Sequence, residues 1–348
     1  MPRERDNQLA QVVKDIINSI GEEINRIIGE SPRNFYTWLS FHSIPAMLSA
    51  AMETAKDNVK YKDEYKNIIL ADVLGRLDDI GDWGERYRRA RRLVCEACRA
   101  LERSSMRVLY AEFTFKSKAL VGVSSGLGAH VFEVGISWDP ILDLPVVRGS
   151  AIKGAVSGAI EAGLAEALGL GEALKKERWA SQLRQELARA SKEGQAALAL
   201  FGSAGANGSI GAIHFLDAPI IRDDGRPPVE ADVITPHYYE GGRPVERELD
   251  ARPKPIAHLS IPEGSTILML AAVPSRRLDE AIDAMVTLAR SLGAQVEYDY
   301  DLGSAFKAVA INALMLAGVG ARTGKGYGSL ELDEQTYKTS CKGVCKRG

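Results

Sequence analysis

The sequence predicts an α+β protein in which a helical N-terminal extension, residues 1–105, precedes a mixed core over 106–333. Three observations predict it. Apolar residues recur at helical spacing before residue 105, the period changes to alternation at Arg107, and strands and helices then follow in a fixed order. From Arg107 that order is strand, helices, strand, strand, helices, strand, the βαββαβ plan of ferredoxin-like folds. With 348 residues and 45% apolar side chains, the chain can bury a large core.

In the extension, Leu9, Val12, Val13, Ile16, Ile17 and Ile20 keep helical spacing, as do Ile24, Ile27 and Ile28. A further helix is predicted from Asp82 to about Arg103, with Leu93, Val94, Ala97 and Leu101 as its apolar stripe. Its other side is basic. Eight arginines (86, 88, 89, 91, 92, 99, 103, 107) stand against Glu96 and Glu102 over 86–107, a surface for nucleic acid, for an acidic partner, or for water alone.

The first core strand starts at Arg107, with Leu109, Ala111, Phe113 and Phe115 on one face and Val108, Tyr110, Glu112 and Thr114 on the other. A Gly/Ser loop (122–128) and a strand-like run (130–137) follow. Helices are predicted over 149–170 and 174–200, ending at Phe201-Gly202-Ser203, and a second core strand over Ile210, Ala212, His214 and Leu216. Residues 218–262 carry eight of the fourteen prolines and read as a long insertion. Thr266–Val273 is a continuous apolar run, hence a buried strand. Helices at 278–292 and 304–316, a glycine-rich loop and a closing strand at 327–332 complete the core, before a basic C-terminal tail, 334–348.

Three segments carry candidate chemistry. In Arg148-Gly149-Ser150-Ala151-Ile152-Lys153-Gly154, Gly149 permits a turn, Ser150 is placed to cap a helix, and Arg148 and Lys153 flank first-turn amides that suit phosphate. An ordinary capping element would look the same. In Gly318–Gly328, Gly320 and its companions let a backbone approach a ligand while Arg322 and Lys325 supply charge. The P-loop pattern fails there, because Val319 stands where glycine is required and Gly326 follows the lysine. The third segment lies in the insertion, where His237 and Tyr238 stand close to bases including Arg252. This suits stacking on unpaired bases, or equally anchoring of the insertion.

Enzyme signatures are scarce. The five histidines are scattered, and Asp139, Asp143, Asp217, Asp223 and Asp224 sit beside glycine and proline as turn residues do. No catalytic residue, metal or cofactor is assigned. Cys95 with Cys98 and Cys341 with Cys345 would supply four thiolates for zinc; a buried Cys98, a free tail or disulfides stay open beside that reading. No run of about 18 apolar residues exists and the N-terminus lacks a signal-peptide core, so a cytoplasmic chain with no membrane partner is expected.

Taken in order, the Arg148–Gly154 element, the Phe201-Gly202-Ser203 turn, Thr235-Pro236-His237-Tyr238 and the Gly318–Gly328 loop resemble the RAMP superfamily of CRISPR proteins, nearest to the sixth-subunit family of type III-B Cmr effector complexes. The resemblance spans roughly 107–333. It implies an RRM-like core, a non-catalytic role near the 3′ end of a guide RNA in antiviral defence, and guide RNA, target RNA and other Cmr-complex subunits, especially the repeated backbone subunit, as partners. The alternative it leaves is a stand-alone, metal-independent guide-processing ribonuclease with His130 or His237 as general base.

Overall fold

The computed structural model describes residues 11, 14–24, 26, 34–56, 70–71, 73–77, 81–124, 126–132, 134–169, 180–203, 208–235, 239–240, 243–244, 255–294 and 301–345. The chain divides into two compact units, each gathered from distant stretches: 1–83, 122–145 and 224–261 in the first, 84–121, 146–223 and 262–348 in the second. In chain order the main elements are α1 (Phe35–Lys56), α2 (Trp83–Arg103), β1 (Met106–Phe115), β2 (Leu144–Val147), α3 (Gly149–Ala167), α4 (Ala180–Ala190), α5 (Lys192–Phe201), β3 (His214–Phe215), β4 (Ala218–Ile221), β5 (Glu230–Ile234), β6 (Ile256–Ser260), β7 (Thr266–Pro274), α6 (Leu278–Ser291), α7 (Leu302–Phe306), α8 (Asn312–Ala317), β8 (Leu330–Leu332) and α9 (Cys341–Val344). Lys307–Ile311, between α7 and α8, is a π-helical turn.

The second unit is built on an antiparallel sheet in the order β8-β1-β7-β4-β2. Its centre is the β1–β7 ladder, which runs from Met106↔Pro274 to Thr114↔Thr266. β8 lies on the far side of β1, from Phe113↔Leu332 to Phe115↔Leu330. On the far side of β7, β4 pairs at Thr266↔Ile221 and β3 at Ala272↔His214. Counting β1, β4, β7 and β8 as the four core strands gives the order 4-1-3-2, with helices between the first and second and between the third and fourth. This is the ferredoxin-like arrangement expected from the element order. β7 is buried from Thr266 to Val273, which explains its unbroken apolar run: a strand covered on both faces has no need of a polar side.

The structure corrects several elements. The second core strand starts at Ala218, just beyond the pattern over 210–216. Ala218-Pro219-Ile220-Ile221 is fully buried within the sheet; upstream of it His214–Phe215 pairs with β7, and Ile210 pairs with Gly202 in a separate ladder. Two of its residues are also paired with β2, through Val146↔Pro219 and Val147↔Ala218, so the proline-rich region contributes to the core before it leaves it. Residues 129–132 form a short helix rather than a strand, and among the described residues of the run 130–137 only Ile136 bridges, to Leu127. The buried stripe of α2 is Trp83, Tyr87, Ala90, Val94 and Cys98, whereas Leu93 is 52% exposed. Spacing of three and four residues links all five, so the helical period was right and its phase was wrong.

Within the first unit, the Asp143 carboxylate accepts the backbone N–H groups of Phe35 (2.7 Å) and Tyr36 (3.0 Å), satisfying the first turn of α1. It also accepts the Trp138 Nε1–H at 3.1 Å. Phe35 packs on Trp138 with ring centroids 5.2 Å apart, so one buried carboxylate sets both ends of an aromatic cluster. β5 and β6 pair antiparallel from Glu230↔Ser260 to Ile234↔Ile256.

The C-terminal tail is anchored. Cys98 bonds Cys341 and Cys95 bonds Cys345, joining α9 to α2 across 243 and 250 residues of chain. The sequence-adjacent cysteines are therefore not partners, and none of the four remains for zinc. Closing so long a loop removes unfolded-state entropy. Reduction should lower the unfolding free energy by about 2–4 kcal/mol, read as a lower urea midpoint with reductant than without. Equal midpoints would show that the bridges contribute nothing.

Candidate nucleic-acid interface

β2 ends at Val147, and Arg148 occupies the N-cap position of α3 with no side-chain cap. Ser150, expected to cap, instead lies exposed in the first turn. The capping carboxylate comes from Asp217, which follows β3. Its Oδ1 accepts the Gly149 N–H at 2.7 Å and its Oδ2 accepts from the Arg148 guanidinium at 2.8 Å. Burial would raise the Asp217 carboxyl, but the Gly149 N–H and the Arg148 guanidinium outweigh it and hold the group below its ordinary value of 3.8. The positive end of α3 is thus already met by a negative group from its own chain.

Gly149 has a steric reason as well. A Cβ there would lie 2.2 Å from the Phe215 carbonyl oxygen, so the helix start crosses the β3 backbone at a distance only glycine permits. Lys153 follows one turn later on α3 and is half-buried.

The Gly318–Gly328 loop is clamped along its length. The Ala321 N–H donates to Leu120 O at 2.7 Å, the Gly328 N–H to Lys118 O at 2.8 Å and the Val319 N–H to Gly328 O at 3.0 Å. Gly320, at φ 103°, would bring a Cβ to 2.3 Å from Leu120 O. Arg322 holds the left-handed conformation at φ 62°, and a short 3₁₀ turn, Thr323–Lys325, follows. Residues 322–326 are exposed, so a fixed base presents a small cationic tip to solvent.

The two motifs share one sheet but not one spot. The glycine loop precedes β8 and the Arg148 element follows β2, with four strand-to-strand spacings between them, about 19 Å at the usual strand separation. A single phosphate cannot reach both. His237, Tyr238 and Arg252 lie outside the described residues.

The basic helix is partly neutralised. Arg91 donates to Glu112 Oε1 (2.8 Å) and to Asp223 Oδ1 (2.9 Å), Arg88 and Arg92 pair with Glu85, and Arg99 pairs with Glu96. The aspartates flagged by sequence all have structural work. Asp139 accepts the Ile141 and Leu142 amides, Asp224 accepts from Arg226, and Asp143, Asp217 and Asp223 are engaged as described. Among the described residues no cluster of His, Cys, Asp or Glu could hold a metal ion, and no described helix is long and apolar enough to cross a membrane. Sequence reasoning missed Asp217 as a partner of Arg148, and it missed the 118–120 segment that supports the loop. Neither has a local signature, since each acts on a motif 69 to about 200 residues away.

A model for the RAMP superfamily matches residues 112–331. The CRISPR system CMR subunit Cmr6 of Saccharolobus solfataricus is 31% identical over 193 residues, covering 55% of this chain and 55% of that protein, so the chain spans about half the length of this curated relative. Among solved structures, a chain in the cryo-EM structure of the Type III-B Cmr-beta bound to cognate target RNA is similar at TM-score 0.54 and 24% identity, covering 91% of this chain and 97% of that one. The crystal structure of Cmr6 from Pyrococcus furiosus matches at TM-score 0.37 and 21% identity, over 65% of this chain and 97% of that one. The first of these likenesses shows a shared fold.

The Asp217 clamp carries a pH signature. Its folded carboxyl titrates below the unfolded value, so its stabilisation is complete above about 3.8 and is lost as pH falls through the folded pKa. Asp217→Asn should cost about 1 kcal/mol at neutral pH, a figure discounted because the carboxylate is half exposed. Urea unfolding of both proteins along a pH series should show the difference closing in the acid range. A difference that persists unchanged there would mean the clamp is not electrostatic.

Proposed function

Because this chain belongs to the RAMP superfamily, we propose that it is a non-catalytic, RNA-binding subunit of a type III-B CRISPR (Cmr) RNA-guided complex in antiviral defence. In this reading it sits near the 3′ end of the guide RNA, beside the repeated backbone subunit, and contacts guide and target RNA in the cytoplasm. The relative named CRISPR system CMR subunit Cmr6 supports the assignment of complex and subunit, and the shared fold with a chain of the RNA-bound Cmr-beta structure supports the partners.

The observation that carries the reading is the exposed tip formed by Arg322, Thr323, Gly324 and Lys325 on a hydrogen-bonded base. Phosphate binding needs cations and close backbone approach, and it is weakened when either must be ordered on binding. Here the ordering is done in advance by the 118–120 segment. Arg148, Ser150 and Lys153 form a second proposed contact at the other end of the sheet, where Gly149 shapes the turn, and Gly320 shapes the first. His237, Tyr238 and Arg252 remain proposed base-stacking and phosphate contacts of the insertion. The non-catalytic role is supported by the aspartates, whose carboxylates are committed to amides and arginines. Purified chain incubated with labelled repeat RNA should leave it intact, and discrete cleavage would favour the ribonuclease reading.

Replacing Arg322 and Lys325 together by Ala should weaken binding of single-stranded RNA at least about tenfold. Each lost phosphate contact should also flatten the slope of log affinity against log salt by about 0.7, so about 1.4 for the pair. Both side chains are exposed, so the urea midpoint should change little. Unchanged affinity and slope would remove the loop from the interface.

A further inference from the structure

With the N-terminus of α3 closed by Asp217, the positive charge available near this motif lies one turn further along. Lys153, on α3, faces the field of Arg184 from α4; His214, on β3, faces Lys153 and Arg277, the residue before α6. α3 packs against both α4 and β3, and Arg184 and Arg277 bond the carbonyls of Gly202 and Ile210, which pair with each other, so the four basic side chains come from elements in mutual contact. The two arginines are fixed by the backbone. Arg184 donates to Gly202 O at 2.6 Å and to Glu161 Oε1, and Arg277 donates to Ile210 O at 2.7 Å and to Glu280 Oε1 at 2.7 Å. Arg184 is 10% exposed and Arg277 24%, while Lys153 and His214 are half-buried and within reach of solvent.

Charge balance in this cluster is incomplete. Glu161 serves Arg184 and Glu280 serves Arg277, but among the described residues neither Lys153 nor His214 has a carboxylate partner. Burial, and then Arg184, push the Lys153 amine down; burial, and then Lys153 and Arg277, push the His214 imidazole down. A cluster of like charges that costs free energy when empty is stabilised by an anion.

We propose that Lys153, His214, Arg184 and Arg277 form a pocket that binds one phosphate group of the RNA backbone, with Lys153 and His214 as the contacting side chains. The pocket lies beside the Phe201-Gly202 turn, whose Gly202 carbonyl holds Arg184, and this gives two elements of the sequence pattern a common purpose. The inference rests on the RNA-binding reading for the source of the phosphate, though not for the pocket itself.

The test follows the ring resonances of the five histidines in the full chain at constant pH, with inorganic phosphate and a short single-stranded RNA added in separate titrations. Each should produce a saturable shift of His214. Lys153→Gln should abolish both shifts and weaken RNA binding about tenfold, the loss of one charge-assisted contact, while Lys153→Arg, which keeps the charge, should retain them. If RNA binds the wild-type chain and neither probe moves His214, the pocket is overturned and the RNA reading stands. If phosphate moves His214 and RNA does not, the claim that RNA supplies the phosphate is overturned. In that outcome the pocket survives as a site for a free phosphate group.

Discussion

The β1–β7 ladder is the constraint on which the second unit depends. Nine consecutive residue pairs join the two strands, and each strand then offers its other edge to the rest of the sheet. β1 carries β8 and, further along, the Tyr110↔Lys338 bridge; β7 carries β3 and β4. A slip of one residue would turn every side chain of β1 to the opposite face. It would move Glu112 onto the face of Phe113 and Phe115. Glu112 instead accepts from Tyr110 Oη at 2.7 Å and from Arg91 at 2.8 Å, a buried polar arrangement that only one register satisfies. Because this pair is central, the loops attached to its two sides are held apart, and the positions of the glycine loop and the Arg148 element follow from it.

What the sequence revealed and what it hid divide by range. β1 and β7 were legible because alternation and continuous burial are local patterns, and the helix after Gly149 was legible from its small residues. β4 was hidden by proline. Pro219 has no N–H, yet it tolerates a strand position where the ladder does not need that donor, so a rule that demotes prolines misread four core residues. The disulfide partners were hidden by adjacency, since cysteines three and four residues apart on helices share a face and bond to another element rather than to each other. Asp217 was read as a turn residue, and in a sense it is one. Its effect on Arg148 is a tertiary contact with no counterpart in the spacing of either motif.

The motif glycines have a shared physical meaning that bears on function. A Cβ at Gly149, Gly202, Gly320 or Gly328 would lie 2.1–2.3 Å from a carbonyl oxygen of another segment, so each marks a crossing of two backbones. Glycine at these places is required by topology before any ligand is considered. Gly324 differs, because nothing lies within 4 Å of its Cβ direction and it sits in the exposed tip. An open glycine between Thr323 and Lys325 is the part of the pattern that packing does not explain.

The basic helix shows how far linear charge counts mislead. Residues 86–107 carry about +6 by sequence, but pairing brings in Glu85, Glu112 and Asp223 from outside that stretch and reduces the local balance to about +3. Arg91 is largely withdrawn from solvent: burial would disfavour its charge, and the two carboxylates around it restore that charge for internal use. The exposed face that remains includes Arg88, Arg89, Arg92, Arg99 and Arg103, on a helix fixed at Cys95 and Cys98 to the C-terminal segment. Anchoring of that kind limits rotation of the helix about its own axis, so its residual charge points in a constant direction.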